Sequence, residues 1–140
     1  MQVIMGPRNV VVGFDGSLNS TVALRRAGAE ARERHARLEV VRVIPREDGL
    51  WRTLTAWLRL RGEVQRLVPR AQRVTTRLRI ARGDTGTQLS RLAERADLLV
   101  VGAGRESRNG APLAGATVSA VLCSPPCRVI VCEDDTDAEV

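Results

Sequence analysis

Apolar runs too short to be helices recur between segments of helical period, and that alternation restricts what this chain can become more than anything else in it. Residues 9–14 read NVVVGF, 38–44 LEVVRVI, 98–101 LLVV and 127–132 CRVIVC. β-branched residues dominate these runs and turn residues bound them, as expected of strands. The run at 98–101 is apolar at every position and that at 9–14 nearly so. Strands of this kind must be covered on both faces, which places them inside a parallel sheet. Residues 74–80 differ: Val74, Thr76, Leu78 and Ile80 alternate with Thr75, Arg77 and Arg79. One wetter face suits an edge strand.

Between the strands the period changes. DGSLNS follows the first, where Ser17, Asn19 or Ser20 can cap a helix over about 21–34 that packs through Val22, Ala23, Ala27, Ala29 and Ala31. Residues 50–68 set apolar side chains at 50, 51, 54, 57, 58, 64, 67 and 68 with Arg on the far face, and Pro69 ends that helix. After Gly83, Thr85 or Thr87 caps a short helix bearing Leu89, Leu92, Ala93 and Ala96, and a last helix runs from Ala116 to Cys123. The order β-α-β-α-β-α-β-α-β predicts an α/β domain with one parallel sheet, helices on both faces and right-handed crossovers. Ligands of such sheets bind beyond the strands' carboxyl ends, where strand order reverses. If the first and fourth strands adjoin there, Asp15 and residues 102–117 face each other across one crevice.

A chain of 140 residues is sized for a single domain, here 8–133, with a loose leader at 1–7 and an acidic tail at 134–140. No apolar run is long enough to span a membrane, and the leader lacks a secretory signal's apolar centre, so a cytoplasmic protein without membrane contact is expected. Every basic residue is Arg; the absence of Lys excludes Schiff-base chemistry and a P-loop. One histidine, His35, cannot supply a nucleophile–base–orienter set, so no enzyme is expected; its place is at a helix C-terminus. Cys123, Cys127 and Cys132 have no zinc-ribbon spacing and read as reduced structural thiols, with no metal bound. Between 50 and 82 nine Arg meet one acid, Glu63, within a net charge of +6. That stripe is a solvated face that can dock an acidic protein partner, whereas three aromatics in the whole chain supply nucleic acid poorly.

Residues 100–117, VVGAGRESRNGAPLAGAT, form a glycine-rich connection. Gly102, Gly104, Gly110 and Gly115 free the backbone, and the helix starting at Ala116 aims its N–H groups and dipole back at the loop. Thr117 and Ser119 offer hydroxyls, and Arg105 and Arg108 charge-assisted bonds, to a phosphate. Asp15 either caps its turn or accepts from a sugar hydroxyl or base amine; Gly13 and Gly16 admit a ligand close to the backbone.

In this order VVGFDGS, VVRVIP, RGDTGTQLSRLAERADLLVVGAG and LAGATVSAVLCSPPCRVIVC resemble the universal stress protein (UspA-type) family over nearly the whole chain. The resemblance implies an adenine nucleotide alpha-hydrolase-like sheet of order 3-2-1-4-5, homodimers through the last strand (127–132) and a regulatory or stress-protective role without catalysis. ATP-binding members carry G-x2-G-x9-G-[ST]. Here Gly102 and Gly115 hold the outer glycine places, Arg105 stands at the inner one, and Ala116 replaces the hydroxyl residue. By the same resemblance Asp15 lies near the adenosine, Val43 on an adenine-packing position and Val101 beside the purine. The implied ligand is ATP with Mg, in a site degraded at two places. Arg105 either fills the phosphate's space or pairs with it. Two functions stay open: a regulatory module with a degraded nucleotide site, and an ATP-binding switch whose residues 103–114 order over the phosphates.

Overall fold

Val10, Val11 and Val12 are almost wholly excluded from solvent, as a central strand must be. They lie in β1 (Asn9–Gly13), flanked by β2 (Arg37–Ile44) and β4 (Leu98–Gly102), with β3 (Thr76–Arg82) and β5 (Arg128–Cys132) outermost. The sheet order is β3-β2-β1-β4-β5 and each pairing is parallel, so strand order reverses between β1 and β4. The computed structural model describes residues 8–68, 74–103 and 116–132. The leader at 1–7 and the tail at 134–140 lie outside the described residues.

The pleat divides the core between two layers. Val10, Val12, Leu38, Val40, Leu98 and Val100 meet Ala23, Leu24, Ala27 and Ala31 of α1 (Leu18–Arg34) and Leu60 and Val64 of α2 (Leu50–Leu67). Val11, Val41, Leu99 and Val101 meet Leu89 of α3 (Thr85–Leu92) and Val118 and Val121 of α4 (Ala116–Cys123). Small residues on α1 bring that helix close to the sheet. Leu24 and Gly28 are buried there, whereas Ala29, expected to pack, is exposed.

Local chemistry moves several boundaries. The first helix begins three residues earlier than its pattern suggests, because Ser17 caps it by accepting from the Ser20 N–H at 3.2 Å. His35 closes it in the left-handed region at φ 54°, donating its N–H to the Ala31 and Arg32 carbonyls. Asp84, not Thr85 or Thr87, caps α3; its carboxylate accepts from both the N–H and the hydroxyl of Thr87 at 2.9 Å. β3 begins at Thr76 rather than Val74, and β5 at Arg128 rather than Cys127.

The largest departure is on α2. Its apolar positions do not form one buried face: Leu60 and Val64 are buried, but Leu50, Trp51, Leu54 and Leu58 are exposed. Only the edge of the sheet lies beneath this helix, so its covered stripe is narrower than its apolar one. Among the described residues no helix is long and apolar enough to cross a membrane.

Candidate functional site

β1 and β4 run side by side, Val12 opposite Val100, and then part. The chain leaving β1 enters α1 on one layer, while α4 packs on the other. This divergence marks the crevice position beyond the carboxyl ends of the two strands, the usual ligand position in a sheet of this topology.

Two glycines let the helices close on its base. A Cβ on Gly102 would lie 2.6 Å from the carbonyl carbon of Asn19 and 2.7 Å from the Ser20 nitrogen, so only a glycine lets β4 touch the first turn of α1. The buried Asn19 locks that contact, its Nδ2 donating to the Ala103 carbonyl at 2.7 Å. Gly13 faces the other layer, where a Cβ would stand 2.8 Å from Cδ1 of Leu89. Both glycines are therefore explained by packing, before any ligand is considered.

Asp15 sits in the turn between β1 and α1. One carboxylate oxygen, Oδ1, accepts from the Ser17 N–H at 2.9 Å, and the Asp15 N–H donates to the Ser20 hydroxyl at 3.3 Å. Gly16 makes the turn at φ +87°, a conformation open to glycine, and Nη1 of Arg42 comes within 3.9 Å of where its Cβ would stand. Packing beneath the Asp15 carboxyl opposes its charge. The Ser17 and Ser20 hydrogen bonds and the Arg42 cation outweigh that effect and hold the group below the ordinary carboxylate range. At neutral pH it is an ionised acceptor at the crevice mouth, suited to hydroxyl and amine donors.

Beneath it lies an apolar wall. Buried Val101 and half-buried Val43 belong to one cluster with Leu89, the side chain that Gly13 admits. Gly13, Asp15, Val43, Val101 and Gly102 thus gather at the strand ends, although Gly102 turns toward α1 and away from the wall. Ala116 and Thr117 open α4. Arg105 and Gly115 lie outside the described residues. Sequence reading missed the roles of Asn19, Ser20 and Arg42. The signal for Asn19 is its spacing: it stands four residues before Ala23, on the face that continues through Ala27 and Ala31.

Cys127 and Cys132 carry little reactivity into this region. Cys132 is buried, and burial together with the nearby Asp97 charge raises the pKa of Cys127, keeping it a neutral thiol. Among the described residues no cluster of three His, Cys, Asp or Glu could hold a metal ion.

The universal stress protein family profile matches residues 6–133. Among solved structures, a universal stress protein in complex with cAMP is 27% identical, with 89% of this chain and 95% of that chain covered at a TM-score of 0.69. Universal stress protein UspA from Lactobacillus plantarum is 22% identical over 89% of this chain and 97% of its own, with a TM-score of 0.71. The universal stress protein from Archaeoglobus fulgidus in complex with dAMP is 21% identical over 91% and 99%, with a TM-score of 0.72. No curated protein matches by sequence. The shared architecture is the adenine nucleotide alpha-hydrolase-like fold.

Proposed function

This chain belongs to the universal stress protein family, and we propose that within it the protein is a non-enzymatic regulatory or stress-protective module that reads adenine nucleotides weakly. The observation carrying this is the pairing of an ionised, oriented Asp15 with the apolar wall of Val43 and Val101 at the strand-order reversal. A nucleoside fits that pair: its hydroxyls or amines meet the carboxylate, and its base lies on the valines. Two solved relatives hold cAMP and dAMP, which supports an adenine ligand here.

The phosphate end is the weak part. Arg105 stands where ATP-binding members carry a glycine, and Ala116 where they carry a hydroxyl. Loss of one donor to a charged phosphate costs about 1.5–3 kcal/mol, about ten- to a hundredfold in affinity. Any Mg would arrive with the nucleotide's phosphates, because no carboxylate cluster of the described residues offers it a seat. The role of Asp15, Val43, Val101 and the Ala116–Thr117 helix start is binding and orientation, and no group among them is set to activate water.

A homodimer through β5 completes the proposal. β5 is an outer strand with Val131 exposed and Arg128 its one charged residue, whereas the opposite edge, β3, carries Arg77, Arg79 and Arg82. Charge guards the second edge against self-pairing and leaves the first open to it. Calorimetric titration with adenosine, AMP and ATP tests the nucleotide reading, with weak and nearly equal affinities expected. The alternative, an ATP-binding switch, requires ATP to bind at least about tenfold more tightly than adenosine, about 1.4 kcal/mol.

A further inference from the structure

α2 exposes more apolar surface than the fold uses, and its cations stand beside it in an ordered way. At about 100° per residue, Trp57, Leu50, Arg61, Leu54, Leu58 and Trp51 fall within one arc of about 120°. Leu60 and Val64 lie on one side of that arc, toward the sheet. Arg52, Arg59 and Arg66 lie on the other, toward solvent. Leu50 and Trp51 are 80% and 81% exposed, so none of the described residues covers the start of the stripe. An open groove of about 340 Å³ adjoins its far end, between α2 and β3, lined by Trp57, Arg61, Val64, Gln65, Thr76 and Leu78.

The charge in the stripe indicates what covers it. The Arg61 guanidinium stacks over the Trp57 ring, 5.7 Å from its centroid, which holds a cation in the middle of the apolar arc. Among the described residues Arg52, Arg59 and Arg61 have no carboxylate within ion-pair distance; Arg66 pairs with Glu63. A flat bilayer does not enter the groove between α2 and β3, and a second copy would set one Arg row against another. A segment carrying both leucines and carboxylates meets neither obstacle.

We propose that α2 and the adjoining groove dock an acidic amphipathic segment of a partner protein. Its apolar side chains lie on Leu50, Leu54 and Leu58, and its carboxylates on Arg52, Arg59 and Arg61. The surface is separate from the nucleotide crevice and stands or falls independently of it.

Trp51 and Trp57 are the chain's only tryptophans and both belong to this surface, so intrinsic fluorescence reads it directly. The probe is a helical peptide of Leu and Glu with Leu at i, i+3, i+4 and i+7 spacing. The expected result is a saturable blue shift whose affinity falls roughly tenfold between about 50 and about 200 mM salt. Leu54→Glu and Arg61→Glu should each weaken binding about tenfold with the melting temperature unchanged, since both positions are exposed. The proposal is overturned by no shift at millimolar peptide, or by equal binding of the same peptide with Gln for Glu. It is equally overturned if phosphatidylglycerol vesicles shift the emission and the peptide does not, or if the shift grows with protein concentration alone and Leu54→Glu abolishes it.

Discussion

Gly102 has no room for a methyl group, and its obstacle is backbone: the carbonyl of Asn19 and the nitrogen of Ser20. Gly13 is crowded by the flexible end of Leu89, which can turn aside. Chemical denaturation should therefore separate two substitutions that look alike in sequence. Gly102→Ala should lose about 3 kcal/mol and Gly13→Ala about 1 kcal/mol, within the range of overpacked cores; equal losses would contradict the packing described. Asp15 makes a prediction in pH. Its folded pKa lies below the unfolded value near 3.8, so the ionised form is the one its turn stabilises. That contribution is whole above the unfolded value and fades as pH falls through the lower folded one. The melting-temperature gap between the native chain and Asp15→Asn should be constant from about pH 7 to about pH 5 and shrink near about pH 3. At this scale sequence reading finds the residues but not their causes. Gly102 looks like part of a phosphate loop, yet its neighbour across the crevice, Asn19, is remote in sequence and could not be seen as the reason for it.

Strands were the most legible elements. Four apolar runs and one alternating run lead to β1 to β5, with β3 displaced two residues along its run and β5 starting one residue later. Burial on two faces is written into every residue of a central strand and less firmly into an edge strand. Helix ends were less so: several hydroxyls and carboxylates compete for each cap, and the winner at α3, Asp84, is settled by geometry that reaches both donors of Thr87. Least legible was the buried width of α2. Periodicity shows which residues share a side of a helix, not how much of that side the sheet will reach. Leu60, which closes on the core, should cost about 2–5 kcal/mol as Leu60→Ala, measured by urea unfolding. Leu54→Glu should stay within about 0.5 kcal/mol of the native chain, as surface changes do.

On the scale of the whole molecule, the sheet has two unlike margins. β3 is lined with Arg77, Arg79 and Arg82 and bordered by an apolar, cationic helix; β5 presents Val129 and Val131 with little charge. The proposed homodimer uses the second margin, so Val131→Asp should move the sedimenting species from dimer to monomer, and a dimer that survives it would reject β5 as the interface. The order of the strands was available only through the family resemblance, since alternation of β and α leaves several parallel orders open. Between the margins lies the proposed nucleotide site, in which a nucleoside half at Asp15, Val43 and Val101 is paired with a phosphate motif that departs from the ATP-binding pattern at Arg105 and Ala116. Calorimetric titration of the native chain with adenosine and with Mg-ATP tests that division most directly. Dissociation constants within about threefold of each other, less than about 0.7 kcal/mol apart, are predicted. ATP bound tenfold or more tightly, or no heat from either ligand, would contradict it.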